Sequence, residues 1–125
     1  PWNKFAQEGR EMKLKAREEL REPSLAELSR LDDPGFRALF SKSPVKRIGR
    51  DRFIRNVLIA IGNSRDARLA HHAERLLDDE SALVRGAAAW ALSRLLPADA
   101  FGALSQQHLA RETDPAVRAE LAATR

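Results

Sequence analysis

An all-α fold, a short stack of helical hairpins of the α-solenoid kind, is what this 125-residue sequence predicts. Three observations carry that expectation. Helix-start signals recur along the chain, whereas the alternating pattern of a half-buried strand does not. A β-branched residue followed by Arg returns early in successive helices, as Ile54-Arg55, Val84-Arg85 and Val117-Arg118, at separations of 30 and 33 residues. That is the period of stacked helical hairpins. Between Ala82 and Leu96 the apolar residues run nearly all the way round, and Ala87-Ala88-Ala89 lets neighbouring helices approach closely, as an inner helix of a stack requires.

The elements follow in order. Residues 1–23 are polar and charged, with Gly9 and Pro23 as breaks, and Phe5, Met12, Leu14 and Leu20 keep no steady period; they read as an irregular leader packed on other parts. Ser24 with Glu27 makes a capping box before a short helix to about Leu31, and Asp33-Pro34 supplies an N-cap and first-turn proline for a helix through Phe40. Ser43-Pro44 repeats the signal, and Gly49 reads as a stop. A helix then runs from about Arg50 to Ile61 and ends near Gly62-Asn63-Ser64. Further helices are expected at about 67–77, 82–96, 98–111 and 115–124, with starts marked by Asp66, Ser81, Pro97 and Asp114-Pro115. The helical repeat domain therefore spans 24–125.

Composition narrows the chemistry. Hydrophobic residues make up 43% of the chain, enough for one core. No apolar run is long enough to cross a bilayer. With no Cys, the chain has no disulfide, thiolate ligand or thiol nucleophile, which fits a reducing cytoplasm. His71 and His72 are adjacent and diverge by about 100° on a helix, and His108 stands alone, so no metal site is expected. Gly-rich phosphate loops, zinc spacings and nucleophile elbows are absent from the sequence.

Charge is the informative property. From Lys42 to Arg68 eight Lys or Arg face two acids, a net +6, while the remainder carries 14 against 16, a net −2. Charge gathered on one element is the footprint of a polyanion-binding surface. On the helix starting at Arg50, Phe53, Ile54, Val57, Leu58 and Ile61 share one side, and Arg52, Arg55, Asn56 and Ile59 share the other. Lys46, Arg47 and Arg50 lie in the turn before it, where the positive end of the helix dipole adds to their field. Lys46, Arg47, Arg50, Arg52, Arg55 and Asn56 are therefore the candidate RNA-binding residues, holding phosphates by charge and guanidinium forks with little sequence readout. The bland reading is a solvated basic face balancing acids elsewhere. Arg85 and Arg118 each have an acid six residues upstream, Asp79 and Glu112, and are read as structural; Arg55 has Gly49 there, with Asp51 one turn back as a possible pair. Trp90 is read as core. Trp2 and Phe5 cover an apolar surface, either the chain's own helices or a domain beyond it.

Two resemblances sharpen the picture. DDESALVRGAAAWALSRL resembles a HEAT-type repeat and TDPAVRAELAAT its truncated successor, so roughly two and a half HEAT-like units fit. The opening PWNKFAQ, the stretch SPVKRIGRDRFIRNVLIAIGNS and these units together resemble the C-terminal part of bacterial epoxyqueuosine reductase over nearly the whole chain. The resemblance implies a parent oxidoreductase that reduces epoxyqueuosine to queuosine at the tRNA wobble position, with cobalamin and two 4Fe-4S clusters. In that family PWN directly follows the last Cys of a ferredoxin-like motif, so Pro1 is expected one residue past a cluster ligand, and residues 1–23 to continue from the missing iron-sulfur and catalytic domains. The cluster Cys and the cobalamin domain are absent here, and the fragment alone is expected to be no enzyme. What the resemblance implies for it is a cytoplasmic, non-membrane accessory role, with partners in the anticodon region of tRNA and in the missing domains. Two other classes remain open: a HEAT-type protein-protein interaction scaffold with no RNA role, and a DNA-repair glycosylase-like fold, for which the aromatics are few and placed for packing.

Overall fold

The computed structural model describes residues 24–123; the leader read over residues 1–23 lies outside them. Among the described residues there are seven α-helices, two 3-10 helices and no strand, as an all-α stack requires. The chain divides into two compact units between Arg50 and Asp51.

The first unit holds α1 (Leu25–Leu28), α2 (Asp33–Leu39) and a 3-10 helix (Pro44–Ile48). Each start is capped by the side chain of a short polar residue in extended backbone, which accepts an N–H that the helix leaves unpaired. Ser24 Oγ accepts from Glu27 N at 3.1 Å and Ser43 Oγ from Val45 N at 3.2 Å. The cap of α2 is Asp32 rather than Asp33: Asp32 is extended and its Oδ1 accepts from Gly35 N at 2.8 Å, which moves Pro34 to the second helical position. α1 stops three residues short of Leu31. Ser29 Oγ turns back to Ala26 O at 2.7 Å, and Arg30 and Leu31 donate to carbonyls three residues behind, tightening the chain into a turn. Phe36 and Phe40, one turn apart, are buried with ring centroids 5.1 Å from each other, and Val45 is buried with them. Gly49 ends the 3-10 helix at φ 83°, a left-handed conformation that favours glycine.

The second unit contains α3 (Arg50–Asn63) from Asp51 onward, a 3-10 helix (Ala67–Leu69), α4 (Ala70–Leu76), α5 (Ala82–Leu95), α6 (Ala98–Leu109) and α7 (Pro115–Ala122). α5 packs on both α4 and α7, and α6 packs on α7. Ile54, Leu58 and Ile61 on α3 and Val84, Ala88, Ala89 and Leu92 on α5 are wholly buried. Each large aliphatic among them contributes roughly 1.5–3 kcal/mol by leaving water.

α3 ends at Asn63, within the Gly62-Asn63-Ser64 stretch where its end was expected, so Gly62 is its last residue but one. A Cβ there would stand 2.5 Å from Trp90 Cζ3 and 3.1 Å from Ala91 Cα, so glycine is what lets the Trp90 ring lie against the α3 backbone. The left-handed residue after α3 is Arg65, at φ 59°.

Candidate nucleic-acid interface

The three arginines of the repeat occupy equivalent places, and the structure uses two of them alike. Arg85 Nη1 donates at 3.0 Å to both Asp79 O and Glu80 O, and Arg118 Nη1 donates at 2.7 Å to both Leu109 O and Glu112 O. In each case the backbone carbonyl six residues upstream is the target, so the loop before the helix is pinned to its first turn. The upstream acids do other work. Asp79 Oδ2 accepts from Ser81 N, and the Glu112 carboxylate takes both arms of the Arg85 fork, at 2.8 and 3.1 Å, across to the preceding repeat.

That tie is well shielded, with the Arg85 and Glu112 side chains 19% and 8% exposed. The Arg85 guanidinium, helped by the Asp114 and Thr113 N–H groups, holds the Glu112 carboxyl below its ordinary pKa against the opposing effect of burial. Glu112 in turn raises Arg85. Arg85 and Arg118 thus make the structural contacts that the repeat position implied.

Arg55 differs. Its one described side-chain partner is Asn56 Oδ1, at a long 3.5 Å from Nη2, and its Nε is buried without a hydrogen-bond acceptor. Asn56 is only 8% exposed, because packing widens the buried side of α3 beyond the half that its amphipathic pattern marks. Buried in this way, Asn56 is not presented to an RNA as the sequence suggested; its Oδ1 faces the Arg55 guanidinium. Arg52, one turn before Arg55 on the same face, is exposed. Arg68, part of the same basic window, is paired with Asp66 at 2.9 Å, which lowers the Asp66 pKa.

In the first unit Lys46 and Arg47 are exposed on the 3-10 helix. Arg50 is half-buried and its Nε donates to Leu31 O at 2.9 Å, so part of its role is to hold the loop after α1. Lys46 and Arg50 line a depression of about 430 Å³ together with Arg37 and Asp33.

The sequence did not reveal a groove of about 470 Å³ in the second unit, lined by α3, α5 and α7. Trp90, expected in the core, is half-buried and forms part of its wall, with the Arg94 guanidinium 5.8 Å from its ring centroid. The signal was present in the sequence: Leu83, Ala87 and Trp90 recur at helical spacing, on a stripe separate from Val84, Ala88 and Leu92. Leu83 is 42% exposed, an apolar side chain that the fold leaves open.

His71 is exposed and His72 buried, their rings 3.9 Å apart, and His108 Nδ1 lies 3.2 Å from Arg111 Nη2. No group of three metal-ligating side chains occurs among the described residues. Nor, among them, is any helix long and apolar enough to cross a membrane.

Comparison with known proteins gives one consistent family. No protein-family model matches the chain. An epoxyqueuosine reductase from Xanthomonas campestris is 38% identical over 97 residues, 75% of this chain and 27% of the relative. One from Alicycliphilus denitrificans is 39% identical over 102 residues, covering 75% and 28% respectively. Among solved structures, a crystal structure of epoxyqueuosine reductase with an epoxyqueuosine-modified tRNA-Tyr stem loop has a TM-score of 0.73 and covers 82% of this chain at 24% identity, which shows the shared fold. The chain spans 27–28% of the length of these curated relatives. Sequence and fold thus point the same way, and the chain is a relative of the epoxyqueuosine reductases that corresponds to about a quarter of such a protein.

Proposed function

We propose that the chain is the C-terminal, tRNA-binding accessory part of a cytoplasmic epoxyqueuosine reductase, with residues 24–125 as its HEAT-like domain. On this reading residues 1–23 continue from the iron-sulfur and catalytic domains of the same protein, and the anticodon region of tRNA is the ligand. The reduction of epoxyqueuosine to queuosine belongs to the parent oxidoreductase. Fe–S clusters are held by thiolates, and this chain has no Cys. Its residues do not fit a 4Fe-4S cluster, and on this reading the clusters, the cobalamin and the catalysis belong to other parts of the parent.

The observation that carries the reading is the exposed Arg52 beside Arg55, the repeat arginine that no loop carbonyl takes up. A related reductase in complex with a tRNA stem loop supports it. Lys46 and Arg47 are proposed as phosphate contacts in their own right, with Arg50 shared between phosphate and Leu31 O. Phosphate contacts of this kind give affinity that falls with salt.

Arg52→Glu and Arg55→Glu, singly and together, test it in a binding titration with a tRNA anticodon stem loop at several salt concentrations, each variant melted alongside. Each lost phosphate contact lowers the log–log salt slope by roughly 0.7 to 0.9. A double variant that keeps its fold and still binds the stem loop like the parent at low salt would refute the reading. Tight binding of an acidic protein with none of RNA would favour the interaction scaffold instead.

A further inference from the structure

In two of the three repeats the arginine directs its Nη1 at loop carbonyls, and in the third, Arg55, no loop carbonyl is a partner and the Nε is enclosed without one. Folded proteins rarely leave such a donor unsatisfied, so the Arg55 guanidinium is the one of the three whose packing calls for an explanation. Arg55 also lines the groove between α3, α5 and α7. The rest of that groove is of a different character: Ile59, Leu83, Ala87, Trp90 and Ala116 make it apolar, and small residues on α5 and α7 leave its floor low. Its acid, Glu120 on α7, is engaged by an interaction of its own.

A ligand matching this groove needs a flat apolar face for the Trp90 wall and an anionic oxygen for the Arg55 fork. A nucleotide has both. Base-paired RNA hides its ring faces in the stack, whereas a single-stranded loop can splay one out onto an aromatic surface. A peptide of acidic residues alone would satisfy Arg55 but brings no ring for the indole. Charge favours RNA as well, since Arg52 is exposed one turn from Arg55 and the exposed Arg94 has its guanidinium 5.8 Å from the Trp90 ring centroid. We propose that the groove seats one unstacked base of a single-stranded RNA loop, its ring against Trp90 and its phosphate on Arg55. The proposal rests on the RNA-binding reading above and adds a preference for looped over paired RNA.

The test uses the full 125-residue chain with Trp2→Phe, so that Trp90 is the sole fluorophore. An anticodon stem-loop RNA and a blunt duplex of the same stem sequence are titrated separately. The stem loop is expected to quench Trp90 saturably and the duplex to bind without quenching. Ala116→Glu places a carboxylate in the groove at an exposed position in the first turn of α7, where the helix dipole tolerates an acid. It should weaken stem-loop binding about tenfold, within the range for loss of one base–aromatic stack, and weaken duplex binding by clearly less. If loop and duplex bind equally and Ala116→Glu changes neither, the base seat is wrong while the phosphate-binding reading stands. If neither RNA binds, both fall. If a poly-glutamate peptide quenches Trp90 and RNA does not, the groove is a peptide site and the proposal is overturned.

Discussion

Replacing Arg85 by Ala should unfasten the stack, and its cost can be worked from the contacts. The substitution removes two hydrogen bonds to loop carbonyls and a two-armed ion pair to Glu112 whose partners are 19% and 8% exposed. Breaking a buried pair from one side costs about 3–5 kcal/mol, because the remaining charge is stranded. Glu112 keeps the Thr113 and Asp114 N–H groups, so the lower end applies, about 3 kcal/mol. For a chain of this size that is a fall in Tm of roughly 10 °C.

Thermal melts by far-UV circular dichroism measure it, and pH supplies the control. The pKa of Glu112 is depressed in the folded state, so its pairing stabilises fully above the ordinary value of 4.5 and is lost as pH falls through the lower folded value. The gap between parent and Arg85→Ala should therefore be full near neutrality and narrow progressively in acid, down to the share of the two carbonyl hydrogen bonds. A loss of less than about 1 kcal/mol, the worth of an exposed pair, would refute the argument, as would a gap of undiminished size once Glu112 is protonated. A change in RNA affinity with no change in Tm would show that Arg85 is a contact residue instead.

Other outcomes are expected. Gly62→Ala should destabilise by about 1–3 kcal/mol, since its Cβ meets the Trp90 ring and the Ala91 backbone. In Gly102→Ala on α6, by contrast, the Cβ meets nothing within 4 Å and should stabilise by roughly 0.5–1 kcal/mol; denaturant unfolding of the pair would expose an error if both moved in the same direction. Anaerobic reconstitution with iron and sulfide, and incubation with cobalamin, should leave the chain colourless, and stoichiometric iron by metal analysis would contradict this.

How much was legible in advance follows from what each signal depends on. Caps are local: Ser24, Ser43, Asp66, Ser81 and Asp114 each satisfy an N–H two or three residues away, so type and spacing in the sequence are enough to find them. Where the reading slipped, at Asp32 for Asp33 and at the early end of α1, neighbouring polar groups competed for the same orphan donors and the geometry chose between them. The repeat period and the apolar side of α3 were readable for a similar reason, since a helix maps sequence spacing onto a face.

The partner of each arginine was not readable. Ile54-Arg55, Val84-Arg85 and Val117-Arg118 look alike in the sequence, but a guanidinium reaches across repeats, and which carbonyl or carboxylate lies within reach depends on how the hairpins stack. The same holds for Gly62, whose meaning comes from a ring 28 residues away, and for the groove, which exists only where three helices leave space between them. The sequence by itself determined the helices, their repeat and the place of the charge, because those are properties of local backbone and composition. Only the tertiary structure decided which of the repeat arginines are held by loop carbonyls and which is not, because that is settled by which groups long-range packing brings within reach.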